Sequence, residues 1–110
     1  MIIVNIKRDK NKNIREFIIS GHAYADVPGK DIVCAAVSVL GQSVIIGLYE
    51  VIKISAPYEI KEGYLACTIP EAISQNEREQ TNVLLETMVK GLNSIKNNYN
   101  KYIDIHDKEV

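Results

Sequence analysis

The chain carries two cysteines and two histidines, and one of each flanks a single short segment. His22 ends an alternating apolar run as part of Gly21-His22-Ala23. The stretch Ala23 to Lys30 follows, and then Asp31 and Cys34 open the apolar run "DIVCAAVSVLGQSVIIGL". A thiol and an imidazole so related suit nucleophilic catalysis. The thiolate is the reactive form of cysteine, and a histidine that takes its proton leaves an ion pair able to attack a carbonyl. The competing reading is a packed structural thiol on an apolar helix, because free cysteine is among the most buried residue types.

Local signals refine the choice. Asp31 precedes the apolar run and reads as a helix N-cap, its carboxylate accepting from free backbone N–H groups. Ile32, Val33 and Cys34 then fill the first turn. The helix dipole favours a thiolate there, while the charge of Asp31 opposes it. The dipole alone therefore does not make a strong nucleophile at Cys34; a protonatable neighbour does. The loop from Ala23 to Lys30, with Pro28-Gly29 inside it, is long enough to return the chain to His22 across one sheet edge. Ser38 lies one turn beyond Cys34 on the same helix face, either lining the site or serving as a small polar helix contact.

The remaining chemistry-bearing residues read differently. Cys67 alternates with Leu65 and Ile69 on an apolar strand face and belongs to a core. His106, near a charged terminus, reads as a solvated surface residue. His22, Cys34, Cys67 and His106 show none of the tight paired spacings of structural zinc sites, so no metal is expected. Two cysteines more than thirty residues apart suggest neither a disulfide framework nor a redox pair.

These residues must be held by a small framework. "MIIVNIKRD" alternates with period two, "KNKN" is a polar turn, and "IREFIISGH" alternates again, giving a hairpin. The apolar run reads as a helix from Ile32 to about Ile54, apolar on nearly every side. Small residues at Ala35, Ala36, Ser38, Gly41, Ser43 and Gly47 invite close approach, so more than one face needs covering, a second subunit being one such cover. "APYEIKEGYLACTI" gives two short strands around Glu62-Gly63. "SQNE" at Ser74 to Glu77 has capping-box spacing. It opens an amphipathic helix with Leu85, Met88, Leu92 and Ile95 on one stripe and Leu84 and Val89 alongside. "NKYIDIHDKEV" supplies a last strand, with the tail after His106 expected to fray. The order is ββαββαβ. It predicts a small single α+β domain over residues 1–110, with two helices packed on a mixed or antiparallel sheet.

Composition excludes several function classes. The 110 residues carry a formal net charge of -1, with 46% hydrophobic and 25% charged residues. That is ordinary for a soluble domain, and scattered lysines and arginines offer no phosphate footprint. The N-terminus lacks a signal-peptide core, which argues against export. The apolar stretch from Ile32 to Leu48, broken by Ser38, Gly41, Gln42, Ser43 and Gly47, falls short of the ~20 residues of a spanning helix. A cytoplasmic protein is expected.

Gly21-His22-Ala23, followed after a glycine-containing loop by Asp31-Ile32-Val33-Cys34-Ala35, resembles the ribosomal-processing cysteine protease family, also called Prp. The resemblance spans essentially the whole chain. It implies a homodimeric cytoplasmic endopeptidase of bacteria, without metal or cofactor, that removes a short N-terminal extension from large-subunit ribosomal protein twenty-seven. By that resemblance Cys34 is the nucleophile and His22 its general base. Asp31 matches the acidic position of the motif, where it either orients His22 or caps the helix. Gly21, Ala23, Gly29 and Ser38 are candidate substrate contacts, and the loop resembles the family's mobile segment that orders around substrate. The alternatives are a non-catalytic ribosome-associated binding module and a thiol acyl transferase using the same pair of residues.

Overall fold

The computed structural model describes residues 1–21 and 28–110, with residues 28–31 described through their backbone alone. The strands are β1 (Ile2–Arg8), β2 (Ile14–Ser20), β3 (Tyr58–Lys61), β4 (Tyr64–Thr68) and β5 (Ile103–Glu109). Helix α1 (Pro28–Ile46) runs on into a π-helical stretch, Gly47–Ile52, and α2 covers Gln75–Asn98. The ββαββαβ order read from periodicity is the observed one. One five-stranded mixed sheet has the order β3-β4-β2-β1-β5. Among the described residues only the β1–β5 pair is parallel, Ile2 lying opposite Ile103, and the other pairs are antiparallel.

Alternation sorts the strand side chains onto two faces. Ile2, Val4 and Ile6 of β1, Phe17 and Ile19 of β2, and Leu65 and Cys67 of β4 are buried. The register stacks Ile6 beside Phe17 and Phe17 beside Cys67, so one apolar ridge crosses three strands. The inward stripes of both helices cover it: Val33, Val37, Val44 and Ile45 from α1, and Leu85, Met88, Val89 and Leu92 from α2. Truncating Phe17 to alanine would cost about 3–5 kcal/mol by lost transfer and the cavity left behind.

Two glycines explain how closely the layers approach. A Cβ at Gly41 would stand 3.0 Å from the Ile19 Cδ1 atom and 3.3 Å from a Leu65 methyl, so α1 lies almost directly on β2 and β4. A Cβ at Gly91 would meet Leu40 at 3.0 Å, which marks the seam between the two helices. The capping box at the start of α2 forms as its spacing predicts. The Ser74 amide donates to Glu77 Oε1 at 2.8 Å, and the Glu77 amide donates to Ser74 Oγ at 3.1 Å.

Three expectations need correction. Asp31 is not the cap of α1, because the helix begins at Pro28 and Asp31 is its fourth residue. Proline suits the first helical position, where its missing N–H would be unpaired anyway and its fixed φ is already helical. Pro28, Gly29 and Lys30 therefore belong to the helix and not to the loop. The tail does not fray after His106, since β5 pairs with β1 through Glu109 and the Val110 amide donates to the Arg8 carbonyl at 2.8 Å. Arg8 holds this edge. Its guanidinium donates to both oxygens of Glu86 on α2 (2.6 and 3.0 Å) and to both oxygens of Asp107 on β5 (2.7 and 3.0 Å). Those carboxylates, Glu86 first, raise its pKa above the usual arginine value.

The third correction concerns the apolar helix. Because the backbone stays helical through the π stretch, Ile32–Ile52 gives 21 residues of mean hydropathy 2.0, long and apolar enough to cross a membrane by length and composition. One side of it forms the core. The other side is not covered: Ile32, Ala35, Ala36, Ser43 and Ile46 are exposed, Val39 is 66% exposed and Val51 77%.

Candidate active site

The two thiols occupy unlike environments. Cys67 sits on β4 opposite Phe17 and is 1% exposed, and burial pushes its thiol up to about 12. A thiol so placed is inert at neutral pH. Cys34 is half-buried, packed against the edge of the core, and opens onto a cleft of about 260 Å³. The cleft lies between α1 and the β3–β4 hairpin, whose residues 60–65 form its opposite wall. Its helix side carries Cys34, Ser38 and Gln42, and its floor includes Ile19 and Gly21.

Cys34 is the seventh residue of α1 and not the third. The field of a helix N-terminus fades within its first turn, so the dipole contributes little at this position. The first-turn amides of Gly29, Lys30 and Asp31 lie about 4.5–7.5 Å along the axis from Cys34, at ~1.5 Å per residue.

Gly21 joins β2 to this site. Its φ is +109°, and a Cβ there would stand 2.3 Å from the Met1 carbonyl oxygen. Only glycine fits this conformation and this space. The Gly21 amide donates to the Gly63 carbonyl at 2.9 Å, which ties the end of β2 to the hairpin turn. Gly63 itself has φ +69°, the left-handed conformation that the Glu62-Gly63 turn requires. At the hairpin tip, Lys61 Nζ pairs with Glu59 at 2.8 Å and lies 5.7 Å from the Tyr64 ring centroid.

Of the residues singled out in the sequence, Cys34, Ser38 and Gly21 therefore share one cleft. His22 and Ala23 lie outside the described residues, as does the loop through Val27, and the side chain of Asp31 is not among those described. Gly29 is the second residue of α1. His106 stands on β5, the edge strand farthest from β3, with its Nε2 3.1 Å from Asp104 Oδ2. It is not among the residues that line the cleft. Gln42 and the hairpin wall escaped the sequence reading. The 34, 38, 42 spacing of polar-capable residues on an otherwise apolar helix was the signal for Gln42. The hairpin itself is legible around Glu62-Gly63, but nothing local marked it as a wall of the site.

A half-buried thiol opening onto a cleft, on a helix laid across a five-stranded α+β sheet, is an arrangement that suits a small cysteine hydrolase. The sequence model of the cysteine protease Prp family matches residues 1–104. The chain belongs to the Prp family of cysteine proteases. It is 31% identical over 105 residues to the ribosomal processing cysteine protease Prp of Bacillus subtilis (strain 168), which covers 90% of each chain. The fold is shared with the essential ribosomal processing protease Prp of S. aureus, solved with a covalently linked product peptide. That likeness has a TM-score of 0.84 at 23% identity over 98% of this chain and all of the other. SMU.848 from Streptococcus mutans superposes with a TM-score of 0.86 at 23% identity, over all of this chain and 99% of its own.

Proposed function

We propose that this protease removes the N-terminal extension of large-subunit ribosomal protein twenty-seven, with Cys34 as nucleophile and His22 as its general base. The observation that carries the reading is the contrast between the thiols: Cys34 opens onto the cleft, whereas Cys67 is sealed in the core. His22 immediately follows Gly21, which lines that same cleft. In the reaction His22 accepts the thiol proton, and the thiolate of Cys34 adds to the scissile carbonyl. The imidazolium then gives its proton to the leaving amine, and water releases the acyl group from sulfur. The protein works as one cytoplasmic domain of residues 1–110 and as a homodimer. The uncovered apolar side of α1, with Ile32, Val39 and Ile46, supports the pairing.

A fluorogenic peptide spanning the junction of the extension tests the dyad. Cys34→Ala abolishes cleavage and His22→Ala lowers it by about 10³-fold or more. The double variant is no worse than Cys34→Ala, because residues that act as a unit are not additive. Wild-type turnover by Cys34→Ala would overturn the assignment, and cleavage that needs an added acyl acceptor would point to a transferase.

A further inference from the structure

Besides the nucleophile, α1 presents two more residues to the cleft. Ser38 and Gln42 follow Cys34 at four-residue intervals, and all three line the same wall. Four residues advance a helix by about 6 Å, so Ser38 stands about 6 Å and Gln42 about 12 Å along the axis from the sulfur. A peptide bound in extended form rises about 3.3 Å per residue. The helix is thus a ruler beside the substrate, with Ser38 level with the second residue from the cut and Gln42 level with the third or fourth.

The two side chains differ in how free they are. Ser38 is half-buried, while Gln42 is exposed and has no hydrogen-bond partner among the described residues. Its carboxamide both donates and accepts, so it can pair with the N–H and the C=O of one extended residue. Across the cleft, Ile60 and Tyr64 supply apolar surface that excludes water from such a pair without forming it. The hairpin is held at this distance by the Gly21–Gly63 hydrogen bond of 2.9 Å.

We propose that Gln42 is a positioning residue that grips the backbone of the extended substrate three to four residues from the scissile bond. It sets a minimum length of chain on that side of the cut. The inference rests on the protease reading above and adds to it the reach of the site. Gln42 takes no part in the bond-making steps. It contributes to substrate binding and does so only when the peptide is long enough to arrive.

The test uses full-length protein and fluorogenic peptides from the extension junction of ribosomal protein twenty-seven, shortened one residue at a time from either end. For the wild type, KM rises about five- to tenfold when one end is cut back past the third or fourth residue, the effect of a single lost hydrogen bond pair. Gln42→Ala shows that raised KM already with the long peptide, with kcat within about twofold, and does not respond to the same truncation. Gln42→Glu, which keeps size and helix propensity, serves if the alanine variant unfolds, and its KM also rises. Iodoacetamide inactivates all of these variants at one rate, showing that the Cys34 environment is intact. The proposal fails if Gln42→Ala handles the long peptide like the wild type, or loses the same factor on long and short peptides. If the wild type cuts none of the series, the substrate assignment itself fails and this inference falls with it.

Discussion

A Gly21→Ala substitution meets two separate penalties, one conformational and one steric. With φ at +109°, an L-residue pays about 1–3 kcal/mol to stay in place. The new methyl would also sit 2.3 Å from the Met1 carbonyl oxygen, where Cβ contacts do not fall below 3.0 Å. The two backbones must therefore part by about 0.7 Å to clear the contact. That movement pulls on the Ile2 amide, bonded to the Tyr102 carbonyl at 2.9 Å, and on the Gly21 amide, bonded to Gly63 at 2.9 Å. Losing one of these adds about 1 kcal/mol. The sum is about 2–4 kcal/mol, a large share of the ~5–15 kcal/mol stability of a domain. Urea unfolding followed by far-UV circular dichroism measures it as a lower midpoint at unchanged slope. Peptide cleavage falls as well under conditions where the variant is still folded, because Gly21 adjoins His22 and braces the hairpin wall. A variant within about 0.5 kcal/mol of the wild type, the ordinary range of a surface change, would refute this account of the glycine.

Near neutral pH, iodoacetamide should label Cys34 in the native protein and Cys67 only after unfolding, as mass spectrometry of the digested peptides will show; equal labelling would contradict the assigned burial. Burial raises Cys67 from the ordinary 9.0 to about 12, so the folded state keeps that proton longer than the unfolded chain does. Stability should fall as pH rises from about 9 toward 12, and a Cys67→Val variant should lose part of that decline. If the uncovered side of α1 is a subunit contact, the wild type sediments as a dimer at micromolar concentration. Val39→Glu then sediments as a folded monomer, while a wild-type monomer at every concentration would remove the homodimer.

Much of this molecule is written in short-range patterns. Alternation along Ile2–Arg8, Ile14–Ser20 and Tyr64–Thr68 selects strands, and it already assigns Cys67 to the core, because successive strand residues must face opposite sides. The Ser74–Glu77 box and the stripe through Leu85, Met88 and Leu92 define α2, since a capping pair and a helical period are satisfied within a few residues. Cys34 and His22 stand out for the same reason, as scarce reactive types flanking one segment.

What needed three dimensions is whatever depends on partners distant in the chain. The parallel pairing of β5 with β1 orders a tail that looks free in isolation, because its hydrogen bonds and the Arg8–Asp107 contact come from residues about a hundred positions away. Only the packing of α1 on Ile19 and Leu65 shows which of its apolar sides is buried and which is left open. Burial is a relation between elements, and an all-round apolar helix does not encode it. The start of α1 at Pro28 turned on weighing proline's fixed φ against aspartate's capping preference, two local signals three residues apart. The cleft exists because the pairing of β4 with β2, continued by the Gly21–Gly63 hydrogen bond, sets the hairpin opposite α1. Gln42 becomes part of the site for that reason alone, since the wall that faces it is contributed by residues 60–65, nearly twenty positions further along the chain.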